Sequence, residues 1–346
     1  MEHKLVIGCT FGDEGKGQVV HALCNDMIAE NKKPIVVRYS GGQQAGHTVR
    51  IGDKYHIFSC FGSGTFAGCK TYWTKDTVID PIRWLMEKSE LEIKCNVIPE
   101  QLFDPFTMIT TPFDVFINHQ RRSGNTVGCG IWETIERERL GLSIYVRDLA
   151  YPSILRTKLK SIKTYVQSLN ILSESMLNDI DIDRIIILYT SFYNQIDVVD
   201  LNLFDHDIIY ESSQGILLDP EYGLGGHSIT TPISLINGLY LQSEVVFIFR
   251  SYLTRHGNGP VCDAVKKMFI NPYETNVLNK HQGEFQTFEF NPELICYGAD
   301  LIRTILNPEK IIGVETCCDI NGCHDLNLNV PILHSNNPKL NSLCNL

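Results

Sequence analysis

No stretch of this chain approaches the roughly 20 consecutive apolar residues that a membrane-spanning helix needs. The opening "MEHKLVIGCT" holds too short an apolar run for a cleavable leader, so a cytoplasmic protein is expected. Positive charge is also scarce. Thirty Lys and Arg stand against 40 Asp and Glu, a net charge of −10. That excludes the broad basic footprint of sequence-independent nucleic-acid binding, but not a nucleotide held by local lysines and backbone amides. The 12 cysteines include no C-x-x-C pair, and in a chain of 346 residues reduced thiols in a cytosol-like compartment are the better reading. Cys317, Cys318, Cys323 and His324 could ligate zinc, but without a paired spacing plain thiols are preferred. Internal repeats and low-complexity linkers are missing too, so one domain over residues 1–346 is expected rather than two.

What is present is an alternation of apolar runs and glycine-rich turns. "KLVIG" (Lys4 to Gly8) and "PIVVRYSGG" (Pro34 to Gly42) read as buried strands ending in glycine. Between them, Val19, Val20, Leu23 and Met27 have helical spacing, which makes a βαβ opening. The runs "RIIILYTS", "DIIYESSQG", "EVVFIFRSY" and "KIIGVETCCD" end in the same way. Residues 152–200 read as mostly helical, with Leu155, Leu159, Ile162 and Val166 on one face. The fold class is α/β, with a mainly parallel central sheet flanked by helices and binding loops at the strand ends.

Two loops carry the chemistry. In "GCTFGDEGKGQVV", Thr10 and Gly17 stand where a Walker A loop requires glycine and Ser or Thr. Val20 stands where the dinucleotide fingerprint requires its third glycine. What remains is a phosphate cradle built from Gly12, Gly15, Gly17, a helix N-terminus and the charge of Lys16. A carboxylate beside a polyphosphate makes sense only if Asp13 holds Mg²⁺ or takes a proton. The second loop, "RYSGGQQAGHTV", sets His47 at a strand end among glycines, a position suited to acid–base work.

Together, "GDEGKG" and the later "GGQQAGHT" resemble the adenylosuccinate synthetase family, whose patterns are close to WGDEGKGK and GGxNAGHT. "TKDTVIDP", "SGNTVGCGI", "ERLGLSIYVRDL", "ESSQGILLD", "SYLTRHGNGP", "VETCCD" and "VPILHSNNP" resemble further family motifs, in order along almost the whole chain. The resemblance implies a ligase that joins L-aspartate to C6 of a purine monophosphate through a 6-phosphoryl intermediate, with Mg²⁺ as cofactor. By the same resemblance, Asp13 is the base and a metal ligand, the Gly46 carbonyl is a second ligand, and His47 is the general acid. The triphosphate site then comprises Gly12, Gly15, Lys16, Gly17, Gly46, His47, Thr48, Cys317, Asp319, Ser335 and Asn337. Asp13, Gln44, Thr126, Gln214 and Thr230 would hold the monophosphate, with Arg139 reaching it from the neighbouring subunit of a homodimer.

The chain also departs from the family. It is shorter, losing a block between Asp319 and Pro331. Cys317 replaces a guanine-reading lysine, although Asp319 remains. Gln44 replaces asparagine, a minor change. The family's arginine-rich aspartate loop becomes "HQGEFQTF", His281 to Phe288, with no arginine. In these features the chain resembles a phage branch of the family, PurZ, which uses dGMP and gives N6-succino-2-amino-2'-deoxyadenylate. An acceptor such as Glu284 would then receive the 2-amino group or a sugar hydroxyl. Gly283, Gln286 and Arg255 are the candidates for aspartate. GTP, ATP and dATP stay open as donors. A shortened enzyme acting on IMP, or a nucleotide binder without ligase activity, are the alternatives.

Overall fold

The structure is a computed structural model, and it describes residues 1–121, 126–224, 236, 244–276, 278 and 281–344. Five of the apolar runs named above pair with further short strands into one nine-stranded sheet. From one edge the order is Ile332–His334, Lys310–Thr316, Glu244–Arg250, His3–Gly8, Ile208–Gly215, Ile35–Arg38, Thr71–Trp73, Gln101–Phe103 and Asp197–Val198. Every pairing among them is parallel, so every strand points its carboxyl end to the same side. The first strand lies near the middle, with Val6 opposite Glu211 on one neighbour and Val246 on the other.

Both faces of the sheet are covered, as a parallel sheet requires. Leu5 and Ile7 pack on one face with helix Pro292–Leu306, through Leu294, Ile295, Ala299 and Ile302. Val6 packs on the other with Val19, Val20, Leu23 and Met27 of helix Lys16–Ala29. A separate helical layer buries Leu155, Leu159, Ile162 and Val166, the face expected from their spacing. One expectation is corrected. "RIIILYTS" lies in helix Ile182–Tyr193, not in a strand. The Asp181 carboxylate caps it by accepting from the amides of Asp183 (2.9 Å) and Arg184 (3.2 Å), and the i, i+3, i+4 burial of Ile185, Ile186, Tyr189 and Phe192 outweighs the β-branched composition. All 12 cysteines are free thiols. No described helix is long and apolar enough to cross a membrane.

Candidate active site

The carboxyl ends of five adjacent strands open into one cavity of about 370 Å³. In an open α/β sheet this is where ligands bind. His3–Gly8 delivers Asp13, Gly15 and Lys16, and Ile35–Arg38 leads to Gln44, Gly46, His47 and Thr48. Ile208–Gly215 brings Gln214, Glu244–Arg250 brings Arg250, and Lys310–Thr316 brings Cys317 and Asp319. Ser335, Asn337 and Arg255 line the same cavity. Fourteen sequence-predicted residues thus meet although they are dispersed from position 13 to position 337.

The two carboxylates of "GDEGKG" separate. Glu14 turns inward, 1% exposed, and accepts from the Gly12 amide (2.8 Å), the Thr10 amide (3.1 Å) and hydroxyl (3.0 Å), and Lys16 Nζ (3.0 Å). Burial opposes its charge, yet Lys16 and these donors hold the Glu14 carboxyl below its usual range. The Gly12 amide is therefore committed to Glu14 rather than offered to a phosphate, which corrects its assignment. Asp13, at φ 59, faces the cavity instead, and no hydrogen bond reaches its carboxylate among the described residues. Burial pushes the Asp13 carboxyl up, against the pull of Arg250, Lys16 and His256. A raised carboxyl with free lone pairs is equipped to take a proton.

His47 is 6% exposed, and its Nδ1 lies 2.6 Å from Oε1 of the fully buried Glu211. The Ser63 hydroxyl donates to the same oxygen, and its amide to Oε2 at 3.2 Å. Burial lowers the His47 imidazole despite Glu211. Burial resists the charge on Glu211, but His47, Arg38 and Ser63 bring it down to about 2. The consistent arrangement is a neutral ring whose Nδ1–H donates to Glu211, with Nε2 3.5 Å from the Ser213 carbonyl at the cavity wall. Negative charge arriving beside that ring favours its protonation, which makes it a general acid when loaded.

Other polar groups await partners. Among the described residues, the amide nitrogen and oxygen of Gln44 are buried without hydrogen bonds, as are Nε and Nη1 of Arg38 and Nε of Arg250 and Arg255. Such atoms are rare unless a ligand or water completes them. The other two Arg255 nitrogens donate to the carbonyls of Pro260 (2.9 Å) and Asn258 (3.3 Å), and its guanidinium stacks 4.6 Å over Phe11. Only part of Arg255 is thus available to a carboxylate.

Several predicted residues do not reach the cavity. Glu284 has a 72% exposed side chain, 4.0 Å from Lys266, and does not line the cavity. Gln286 lies on the strand Phe285–Phe288, antiparallel to Leu253–His256, and Gly283 lies just before that strand. Gln286 donates to the Gly257 carbonyl at 3.1 Å, and neither residue lines the cavity. Thr126 donates to Asn118 Oδ1 at 2.8 Å, beside the lining residue Val127. Arg139 ends the helix Ile131–Arg139, exposed and away from the cavity of its own chain. Thr230 lies outside the described residues. The zinc reading changes membership: Cys317 is not among the gathered donors, and Glu315 and His334 join Cys318 and Cys323.

Sequence reasoning missed Glu14 and Glu211, and also Arg250 and Arg50. Arg250 donates to Glu274 (2.6 Å), whose other oxygen accepts from Thr275 and Asn276 and so ties residues 274–276 to the cavity wall. Arg50 lines the wall between the rings of Tyr55 and Tyr273. Its position two residues after Thr48, on the strand His47–Ile51, was the available signal.

Sheet, loops and cavity define an α/β protein with one polar cavity at the carboxyl ends of its parallel strands, on which Asp13, Lys16 and the His47–Glu211 pair meet. The chain belongs to the adenylosuccinate synthetase family, whose model, described as adenylosuccinate synthetase, matches residues 5–290. The adenylosuccinate synthetase of Synechococcus sp. (strain JA-2-3B'a(2-13)) is 30% identical over 286 residues, 75% of this chain and 62% of that protein. The Thermodesulfovibrio yellowstonii enzyme is 27% identical over 291 residues, 77% and 66%. The chain therefore spans about three-fifths of the length of the first of these relatives. Among solved structures, the fully ligated adenylosuccinate synthetase of Plasmodium falciparum superposes with a TM-score of 0.73 at 19% identity, covering 91% of this chain and 77% of that one. Cyanophage S-2L succinoaminodeoxyadenylate synthetase (PurZ), bound to dGMP and dATP, gives 0.61 at 16%, covering 92% and 85%. At these identities the two structures share the fold.

Proposed function

We propose that this protein is a ligase joining L-aspartate to C6 of a purine nucleoside monophosphate at the expense of a nucleoside triphosphate, with dGMP as the acceptor. The observation that carries the ligase reading is the meeting of Asp13, Lys16 and the His47–Glu211 pair on one cavity. Binding alone needs neither a base nor an acid. In the first step the Asp13 carboxylate takes the N1 proton of the base, O6 attacks the γ-phosphorus, and the nucleoside diphosphate leaves, with His47 protonating the developing charge. In the second the aspartate amine attacks C6 and expels phosphate. Loop amides and Lys16 position the triphosphate, and Gln44 is suited to the monophosphate.

A Mg²⁺ ion fits the donor set, because Asp13 has unpartnered hard oxygens and Gly46 exposes its backbone at the cavity. Held by the Asp13 carboxylate and the Gly46 carbonyl, it would neutralise charge on the transferred phosphoryl group.

The dGMP assignment rests on residues 281–288, which bring no arginine to a ribose 2'-hydroxyl. It agrees with the dGMP bound by the cyanophage neighbour. IMP is the competing acceptor, in keeping with the adenylosuccinate synthetases to which the chain is similar. On the donor side, the Asp319 carboxylate suits guanine N1 and N2, while Cys317 offers no lysine-like donor.

A substrate panel tests all of this: IMP, dIMP, GMP and dGMP, each with ATP, dATP or GTP, plus aspartate, read as phosphate release. The expected result is release that requires both aspartate and a monophosphate, with the highest kcat/KM for dGMP. A preference for IMP overturns the acceptor assignment. No aspartate-dependent release in any combination overturns the ligase. Asp13→Ala, which removes base and metal ligand together, is expected to abolish turnover in the same assay, and near-native rates would refute its role.

A further inference from the structure

We propose that the chain binds one zinc ion behind the cavity, at Glu315, Cys318, Cys323 and His334. One donor atom from each of these residues lies within 4.8 Å of all the others. Bonds of about 2.0–2.3 Å in a tetrahedron separate the donors by roughly 3.5 Å, so a small contraction closes the site. The donors are two thiols, an imidazole and a carboxylate. Sulfur selects zinc over the magnesium that suits the hard oxygens of Asp13.

The backbone converges on this arrangement from three directions. Glu315 and His334 are register partners on adjacent parallel strands at the sheet edge. Cys318 opens the short helix Cys318–Asn321, and Cys323 follows that helix. Glu315 is fully buried, and its recorded ion-pair partners are two imidazoles, His324 at 2.6 Å and His334 at 2.7 Å, with no lysine or arginine among the described residues. A buried carboxylate partnered only by histidines calls for a cation. Cys318 Sγ lies 3.6 Å from the Glu315 carbonyl. His324 completes the design from outside the donor set. Its ring stacks on Phe290 at 3.7 Å, and its Nδ1 holds Glu315 Oε1, the kind of support that orients a metal-bound carboxylate.

The ion would staple the last strand to the sheet across residues 317–331 and brace the turn that carries Cys317 and Asp319 into the cavity. The proposal does not depend on the ligase reading, since its readout is metal content.

The test uses the full chain, expressed with zinc, purified under reductant without chelator, and assayed by elemental analysis and chelator competition. About one zinc per chain is expected. Cobalt substitution should add thiolate-to-metal charge-transfer absorption. Cys323→Ser, at an exposed position, should reduce that absorption to about half, one thiolate remaining, and weaken zinc at least tenfold. His324→Phe keeps the stacking ring and should weaken zinc about 10–100-fold. Cys344→Ser, an exposed cysteine elsewhere, should leave stoichiometry unchanged. Zinc no higher than the buffer background, wild-type zinc affinity in Cys323→Ser, or a Cys318–Cys323 disulfide under these conditions would each overturn the site.

Discussion

Asp13 and Glu14 are neighbours in the chain with opposite fates, and backbone conformation decides between them. The left-handed φ of Asp13 turns its side chain to the cavity, while Glu14 is drawn inside by four donors. The same economy governs His47, whose behaviour depends on an acid 164 positions away. Glu211→Gln should therefore be severe. The amide keeps the shape but no longer fixes the Nδ1–H tautomer, so kcat is expected to fall by about 10²–10⁴-fold, with KM for the triphosphate little changed. Acid stability supplies an independent reading. The Glu211 value of about 2 lies below its ordinary 4.5, so its contribution is fully present above about pH 4.5 and is lost as pH falls toward 2. The stability difference between wild type and Glu211→Gln, measured by urea unfolding, should narrow over that interval. A constant difference would mean that the carboxylate is not ionised by its partners.

At the scale of elements, the strand ends were legible because glycine and polar residues stop each apolar run. The helix Lys16–Ala29 was legible from its 3–4 spacing. The helix Ile182–Tyr193 was ambiguous, because its isoleucine run suits a strand as well and only tertiary packing decides. The buried acids were illegible, since nothing local marks which carboxylate will find a lysine or histidine after folding. One close approach holds the architecture of the site. A Cβ on Gly215 would lie 2.2 Å from the Thr10 carbonyl and 2.6 Å from the Gly12 amide, both backbone atoms of the phosphate loop. The φ of Gly215 is −96°, so the restriction is purely steric. Gly215→Ala should push the loop off the strand, costing about 1–3 kcal/mol and raising KM for the triphosphate. Thermal melts and initial rates measure both. Unaltered stability and KM would mean that the loop relaxes without effect.

For the whole molecule, resemblance to the family leads to the expectation that Arg139 reaches a neighbouring subunit, and the structure puts it on an exposed helix end outside the lining of its own cavity. Residues that complete a site in trans cannot be recognised from a single chain, because distance from the local cavity is shared by every ordinary surface arginine. Function distinguishes the two. If Arg139 serves the neighbouring subunit, Asp13→Ala and Arg139→Ala are each inactive alone for different reasons. In a mixed dimer, one site carries the defective Asp13 and also faces the defective Arg139, while the other site is intact. Mixing equal amounts and allowing exchange makes half the dimers mixed, with one working site in each, so about a quarter of wild-type activity should return. Sedimentation of the wild-type chain should show a dimer under the assay conditions. No recovery, with exchange demonstrated by differently tagged chains, would place Arg139 outside the site and leave the cavity complete within one chain.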